Sequence, residues 1–425
     1  MRSAALRLAS ASLLALAGTT PGWAQQAPEA TAPEAPAVIE PSAPALPEAE
    51  AREIHERLLT LDTHIDIGEG YATAALDPGG FTRAQVDLPS MRAGGLDGGF
   101  FIVYTGQGPT DEAGYAEARQ TAEDKYRAIM RMVRGYPDQV ALATTADEVE
   151  EIAATGKRVA LIGIENAYPL GPSVEDVPMW AERGARYMSI THFGNNQFGG
   201  SSNPRDDEPA EDPGLTDLGR ELVAALNDAG IMVDISHVGR ETGLQAIELS
   251  RAPVIASHSA VRAVYDNARG LDDEQLRAIR DNGGVAQIVA FRGYLGEVDP
   301  AFTEGLDALR ARMGLETSEK RRAADRATME EYQDEVARLR AETRDVTLAQ
   351  LADHIDHAVE VAGIDHVGIV SDFDGGGGVL GWDDASETPN VTAELLARGY
   401  SEEDLAKMWS GNLLRVMRAV EAAKQ

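Results

Sequence analysis

Leu58-Leu59-Thr60-Leu61-Asp62-Thr63-His64-Ile65-Asp66 is an apolar run that rises to a His-x-Asp pair and stops at Gly68. In an extended strand, residues two apart project from the same face, so His64 and Asp66 are expected to point into one space. An imidazole beside a carboxylate at a strand end suits a borderline divalent cation such as zinc. For the pair taken alone, a buried His hydrogen-bonded to a neighbouring Asp is the competing reading. The rest of the chain decides between them.

Seven more short apolar runs lie at 98–104, 159–165, 186–192, 231–237, 253–258, 284–290 and 366–372. Helical periodicity lies between most of them, over 112–134, 146–154, 174–184, 216–230, 240–250, 272–281 and 348–363, with a closing helix over 401–423. Eight strands alternating with helices predict an α/β fold of the (β/α)8 TIM-barrel type. A doubly wound open sheet is the alternative, and the lack of a Gly-rich phosphate loop after any strand weakens it. The stretch 296–345 is highly charged, helical in period and without a strand signal. It is expected to be an inserted helical segment with no chemistry of its own. The Gly-, Asn- and Pro-rich stretch 194–213 is long enough to be a functional loop.

The chain has 425 residues, 43% of them hydrophobic, and no Cys. That suffices for one large domain or two medium ones. A formal charge of −32 argues against nucleic acid and against electrostatic docking on anionic membranes. Arg2 and Arg7, an apolar core from Leu6 to Ala17 and the small-residue site before Gln25 read as a signal peptide over 1–24. An uncleaved anchor is the alternative, and it is the one membrane contact indicated. A Pro-, Ala- and Glu-rich linker fills 25–50, so the barrel domain is expected at 51–425. The expected location is outside the cytoplasm, periplasmic or secreted.

In such barrels, reactive groups gather at the C-terminal strand ends. Here those ends carry His64, Asp66, Glu165, His192, His237, His258 and Asp372. Four of the eight His close an apolar run, and this clustering turns the weak pair at 64 and 66 into part of a metal site. His55, His354, His357 and His366 fall elsewhere and read as structural. One tetrahedral catalytic zinc needs three protein ligands, fewer than are gathered here. Two metals about 3.5–4 Å apart, bridged by a carboxylate and a hydroxide, would use the whole set for hydrolysis. Asp372 is the candidate base, or else a cap for the Gly-rich turn after it.

The set His64-x-Asp66, Gly163-Ile164-Glu165, Asp234-Ile235-Ser236-His237, Ser257-His258-Ser259 and Ser371-Asp372-Phe373-Asp374-Gly375 resembles the membrane (renal-type) dipeptidases. Gly411-Asn412-Leu413-Leu414-Arg415-Val416 resembles their closing signature, and the likeness runs in order from about Leu58 to Glu421. The resemblance implies a β/α barrel with two zinc ions that hydrolyses dipeptides, some members accepting a D-residue at the C-terminal position. It implies that His64 and Asp66 bind one zinc, His237 and His258 the other, and that Glu165 bridges them. It further implies that His192 steadies the tetrahedral intermediate, Asp372 moves the proton and Arg269 takes the substrate carboxylate. A surface Arg at a helix start is the alternative for Arg269. Tyr294, in Phe291-Arg292-Gly293-Tyr294, is the candidate substrate-binding Tyr.

There are departures. Asn166-Ala167 stands where the family has two glycines, and Tyr168 comes next, so a bulkier pocket floor is expected. The absence of Cys excludes a disulfide-linked dimer and leaves a non-covalent homodimer open. Other binuclear amidohydrolases, acting on lactones, cyclic amides or phosphotriesters, typically begin with His-x-His and use a modified Lys. This chain has His-x-Asp and no Lys at a strand end, which disfavours that reading. A non-catalytic metal-binding barrel is the third reading, and the full set of ligand types opposes it.

Overall fold

The computed structural model describes residues 48–425 apart from 69, 83, 317–319, 321–323, 325 and 344. The expected signal peptide and nearly all of the expected linker lie outside the described residues. The first helix, Glu48–His55, begins before position 51, where the folded region was expected to start.

All eight expected runs are strands, and they form one parallel path. In chain order the strands are β1 (Leu61–Ile65), β2 (Gly98–Tyr104), β3 (Val140–Leu142), β4 (Arg158–Glu165), β5 (Ala185–Ser189), β6 (Met232–Asp234), β7 (Ile255–Val261), β8 (Gly270–Leu271), β9 (Val285–Val289) and β10 (Val367–Val370). The path runs β1-β2-β4-β5-β6-β7-β9-β10, with β3 beside β4 and β8 beside β7. The chain is thus a nearly closed (β/α)8 barrel. Strands β3 and β8 were not expected, because three and two residues are too few to show a period.

Every residue of β1, β7, β9 and β10 is buried, as a parallel strand between a filled interior and a helical ring must be. Between β10 and β1 a side chain does much of the closing. The Asp62 carboxylate accepts the Ser371 N–H at 3.3–3.4 Å and the His64 N–H at 3.0 Å. One backbone bond adds to this, from Asp66 N–H to Phe373 O at 2.9 Å.

Two register shifts matter for the site. Between Asp62 and Ile65, β1 gains a residue against β2, and between Ala256 and Ser259, β7 gains one against β9. These bulges fall on His64 and His258, where an extra residue re-aims a side chain. The simple period of two therefore does not by itself place His64 beside Asp66.

The charged stretch forms helices Pro300–Met313 and Arg326–Glu342, which share a small core of Leu309, Leu315 and Tyr332. Arg292 ties the end of this stretch to the barrel, pairing with Asp345 at 2.8 Å and with Asp383 at 2.8 Å. The closing helix is interrupted by a wide turn at Lys407–Gly411 before Asn412–Ala423. There the Asn412 side chain donates to Ile364 O and Val367 O, under the start of β10. No described helix is long and apolar enough to cross a membrane.

Candidate metal centre

Glu165 ends β4 with its carboxylate buried, and four imidazoles converge on it. Its Oε1 lies 3.1 Å from His237 Nε2, 3.4 Å from His258 Nε2 and 3.6 Å from His192 Nε2. Its Oε2 lies 3.6 Å from His64 Nε2. On the far side of His64 are Asp66 Oδ2 at 3.5 Å and Asp372 Oδ1 at 4.0 Å. Glu165 thus stands between one group of His64, Asp66 and Asp372 and another of His192, His237 and His258.

For two of the rings, His64 and His258, outer partners set which nitrogen faces inward. The Tyr187 hydroxyl donates to Thr63 O at 3.0 Å, so it accepts from His64 Nδ1 at 2.9 Å. Ser257 Oγ donates to Asp234 Oδ2 at 2.6 Å, so it accepts from His258 Nδ1 at 2.8 Å. In both rings Nε2 is left facing Glu165, the arrangement by which outer carboxylates and hydroxyls fix a metal-binding tautomer. Gly163 makes room for this, because a Cβ there would overlap the Tyr187 ring.

The backbone is bent to suit. Of the five described non-glycine residues with positive φ, Asn166 (79°), His237 (64°), Asp372 (59°) and Asp374 (61°) lie at or beside the site. Only Ala72 lies elsewhere. Asn, Asp and His tolerate this region best among non-glycines, and such strain concentrates where function requires a particular geometry.

Burial alone would raise the pKa of Glu165. The facing His192 and His64, with hydrogen bonds from His237 and His258, instead hold it well below the usual carboxylate range. His237 is held well below the usual imidazole value by burial and by the charges of Arg269 and His192. Burial and His64 do the same to His258. His64 goes the other way, since Glu165 and Asp66 outweigh its burial. Burial, with Asp66 and Glu165 near, pushes Asp372 well up.

These residues fit divalent cations. Two neutral imidazoles aim nitrogens at one carboxylate, a third imidazole lies among three carboxylates, and all are donors of the types zinc takes, buried except for the partly exposed Asp66. Space is kept beside the carboxylates as well, since a Cβ on Gly375 would overlap both Asp372 Oδ1 and Asp66 Oδ2.

The other expected residues sit around this cluster. His192 follows β5 by three residues, and its ring lies 4.1 Å from that of His237. Arg269 is 4% exposed, not the surface residue of the alternative reading. Its Nη2 donates to His258 O at 2.8 Å, and its guanidinium lies 5.2 Å from the Tyr294 ring. Tyr294 stacks on Phe291 at 4.1 Å and lines the same cavity of about 330 Å³ as Asp66, Glu165, His192 and Asp372.

Tyr168 does not enlarge the floor of that cavity as expected. It packs on Tyr115 and lines a neighbouring chamber, while Asn166 turns away to Thr105 O and Asn196. The four remaining histidines are far from the cluster in their bonding: His55 to Thr392 and Gly94, His354 to Val261 and Leu295, His357 to Asp273 and His366 to Gly284.

Sequence reasoning missed Asp62 and Tyr187, and also Tyr104 and Lys125, which line the same cavity as Asp66 and Glu165. Asp62 had a readable signal, an acid two residues before His64 on one strand. Tyr187 lies inside an apolar run and had none.

A family model described as membrane dipeptidase (peptidase family M19) matches residues 48–425. Dipeptidase ataJ of Aspergillus terreus is 31% identical over 361 residues, covering 79% of this chain and 77% of that protein. Dipeptidase aclJ of Aspergillus oryzae is 30% identical over 342 residues, covering 79% and 70%. Among solved structures, the probable dipeptidase PvdM from Pseudomonas aeruginosa is similar with a TM-score of 0.77 and 36% identity, over 88% of this chain and 98% of that one.

Proposed function

The chain belongs to the membrane dipeptidase family, peptidase family M19, and is a metal-dependent hydrolase of that family; we propose that it cleaves dipeptides with two zinc ions held on either side of Glu165. The observation that carries this is the convergence of four imidazole Nε2 atoms on one buried carboxylate within 3.1–3.6 Å.

In this reading His64 and Asp66 would hold one ion and His237 and His258 the other, with Glu165 available to both. When bound, such a pair supplies Lewis acidity toward water and toward a carbonyl oxygen. The chain's own residues do the rest. His192 faces the cluster from the loop after β5 and donates from its ring to the oxygen that gains charge as the carbonyl becomes tetrahedral. One such donor is worth about 3–4 kcal/mol. Asp372 Oδ1, at the edge of the first group, takes a proton from the attacking water and returns it to the leaving amine. The Arg269 guanidinium pairs with the terminal carboxylate of the substrate, with Tyr294 beside it.

The test is a panel of L-L and L-D dipeptides, with tripeptides as a further arm, against zinc-loaded protein and a chelator control. Dipeptide cleavage that the chelator abolishes and zinc restores is the expected result. Zinc-loaded protein that cleaves no dipeptide would sink the proposal.

A further inference from the structure

The cavity at the metal centre adjoins a second and larger one. A chamber of about 940 Å³ adjoins the cavity of about 330 Å³, and the two share Gly68, Tyr104 and Lys125 as lining residues. The small cavity suits the two backbones of a dipeptide, so the chamber is space for something the bare dipeptide does not need.

The barrel order says which part of the substrate reaches it. Tyr104 ends β2 and Lys125 lies on the helix that comes after it, Glu112–Gly135. Arg269 follows β7, which is four strands from β2 along the eight-strand path. Half a barrel separates them. A dipeptide whose carboxylate is held at Arg269 therefore carries its N-terminal residue toward Tyr104 and Lys125, and that residue's side chain enters the chamber.

The chamber wall has a definite chemistry. Glu117, Thr121 and Lys125 recur at fourfold spacing on one face of the helix, with Lys125 nearest the catalytic cavity because it lines both spaces. The Lys125 ammonium donates to Ile67 O and lies 5.8 Å from the centre of the Tyr104 ring. An ammonium has three donors, so donors remain for an anion at the junction.

We propose that this junction is a specificity subsite in which Lys125 recognises a carboxylate on the side chain of the N-terminal residue. It rests on the dipeptidase reading above. Glutamyl and aspartyl dipeptides are then preferred over their amide isosteres, and the preference appears in KM, because Lys125 touches neither the scissile bond nor the metal ligands.

The experiment compares L-Glu-L-Ala with L-Gln-L-Ala in wild-type protein, K125M and K125R. Two readouts are taken: kcat/KM of the zinc-loaded enzyme, and calorimetric binding to chelator-treated protein, where no cleavage occurs. A ratio taken within one preparation is insensitive to how much of a variant folds. The expected result is at least a tenfold preference for the Glu dipeptide in wild type, kept in K125R and reduced to within about twofold in K125M. Equal handling of both dipeptides by wild type overturns the proposal, as does a ratio unchanged in K125M. Loss of all hydrolysis with the binding preference intact sinks the dipeptidase reading and leaves the subsite standing.

Discussion

His237 Nε2 and His258 Nε2 lie 2.8 Å apart, and both also face Glu165 Oε1. Two buried ring nitrogens at that distance repel unless a proton or a cation lies between them and the carboxylate. Burial disfavours a second, charge-bearing proton on either ring, and the one proton of neutral His258 sits on Nδ1 toward Ser257 Oγ, so the contact is held either by the single proton of neutral His237 or by a cation. A divalent cation shared by both nitrogens and Glu165 Oε1 would relieve it with both rings neutral.

Zinc stoichiometry is the direct consequence. Wild-type protein is expected to retain about two zinc per chain after dialysis, and His237→Ala or His258→Ala about one. Atomic emission on matched samples measures it. Full occupancy in both variants would falsify the assignment of these rings.

Asp372→Asn separates binding from proton transfer. The amide keeps the shape at the edge of the site and loses the base. Zinc content should stay at the wild-type level while kcat falls by about 10²–10⁴. An unchanged kcat removes Asp372 from the mechanism.

Tyr187→Phe tests a residue that touches no candidate metal position. It strips the acceptor from His64 Nδ1, whose ring is buried. Loss of such outer partners typically weakens metal affinity about 10–100-fold. Competition with a chromophoric chelator reads this, and wild-type affinity in the variant rules the role out.

His354 gives a pH dependence away from the metal site. Its Nδ1 accepts the Val261 N–H at 3.0 Å, so Nε2 carries the proton toward Leu295 O. Burial lowers its pKa from 6.5 to about 4. The unfolded chain therefore binds the proton first as pH falls. The stabilising contribution is whole above pH 6.5 and is lost between 6.5 and about 4, in all about 3 kcal/mol. Urea unfolding of metal-free protein at pH 7 and 4.5 should show a steeper loss in wild type than in His354→Gln. Equal slopes count against it.

Asp345→Ala leaves Arg292 buried with one of its two carboxylate partners gone. Because Asp383 still pairs with Arg292, the cost falls below the about 3–5 kcal/mol of leaving a buried charge unpaired, at about 1–3 kcal/mol. Arg292 immediately follows Phe291, which stacks on Tyr294, so KM should rise along with the loss of stability. A variant as stable as wild type shows that the pair contributes nothing.

The sequence determined the ring of strands and the candidate ligand set, because both are local signals. An apolar run that ends on His, Asp or Glu is readable one segment at a time. Apolar runs repeated eight times between helices specify a barrel, and the six that end on His, Asp or Glu mark the end at which its chemistry gathers. Tertiary structure decided what depends on packing between distant segments. His192 and His237 lie three residues beyond their strands, and His258 lies inside one, so only the loops and bulges bring these rings onto Glu165. Burial of Arg269, the Tyr187 and Asp234 contacts that orient the rings, and the diversion of Tyr168 into the chamber likewise arise across the barrel. A side chain's partner there is set by which strands lie side by side, and no period along the chain encodes that.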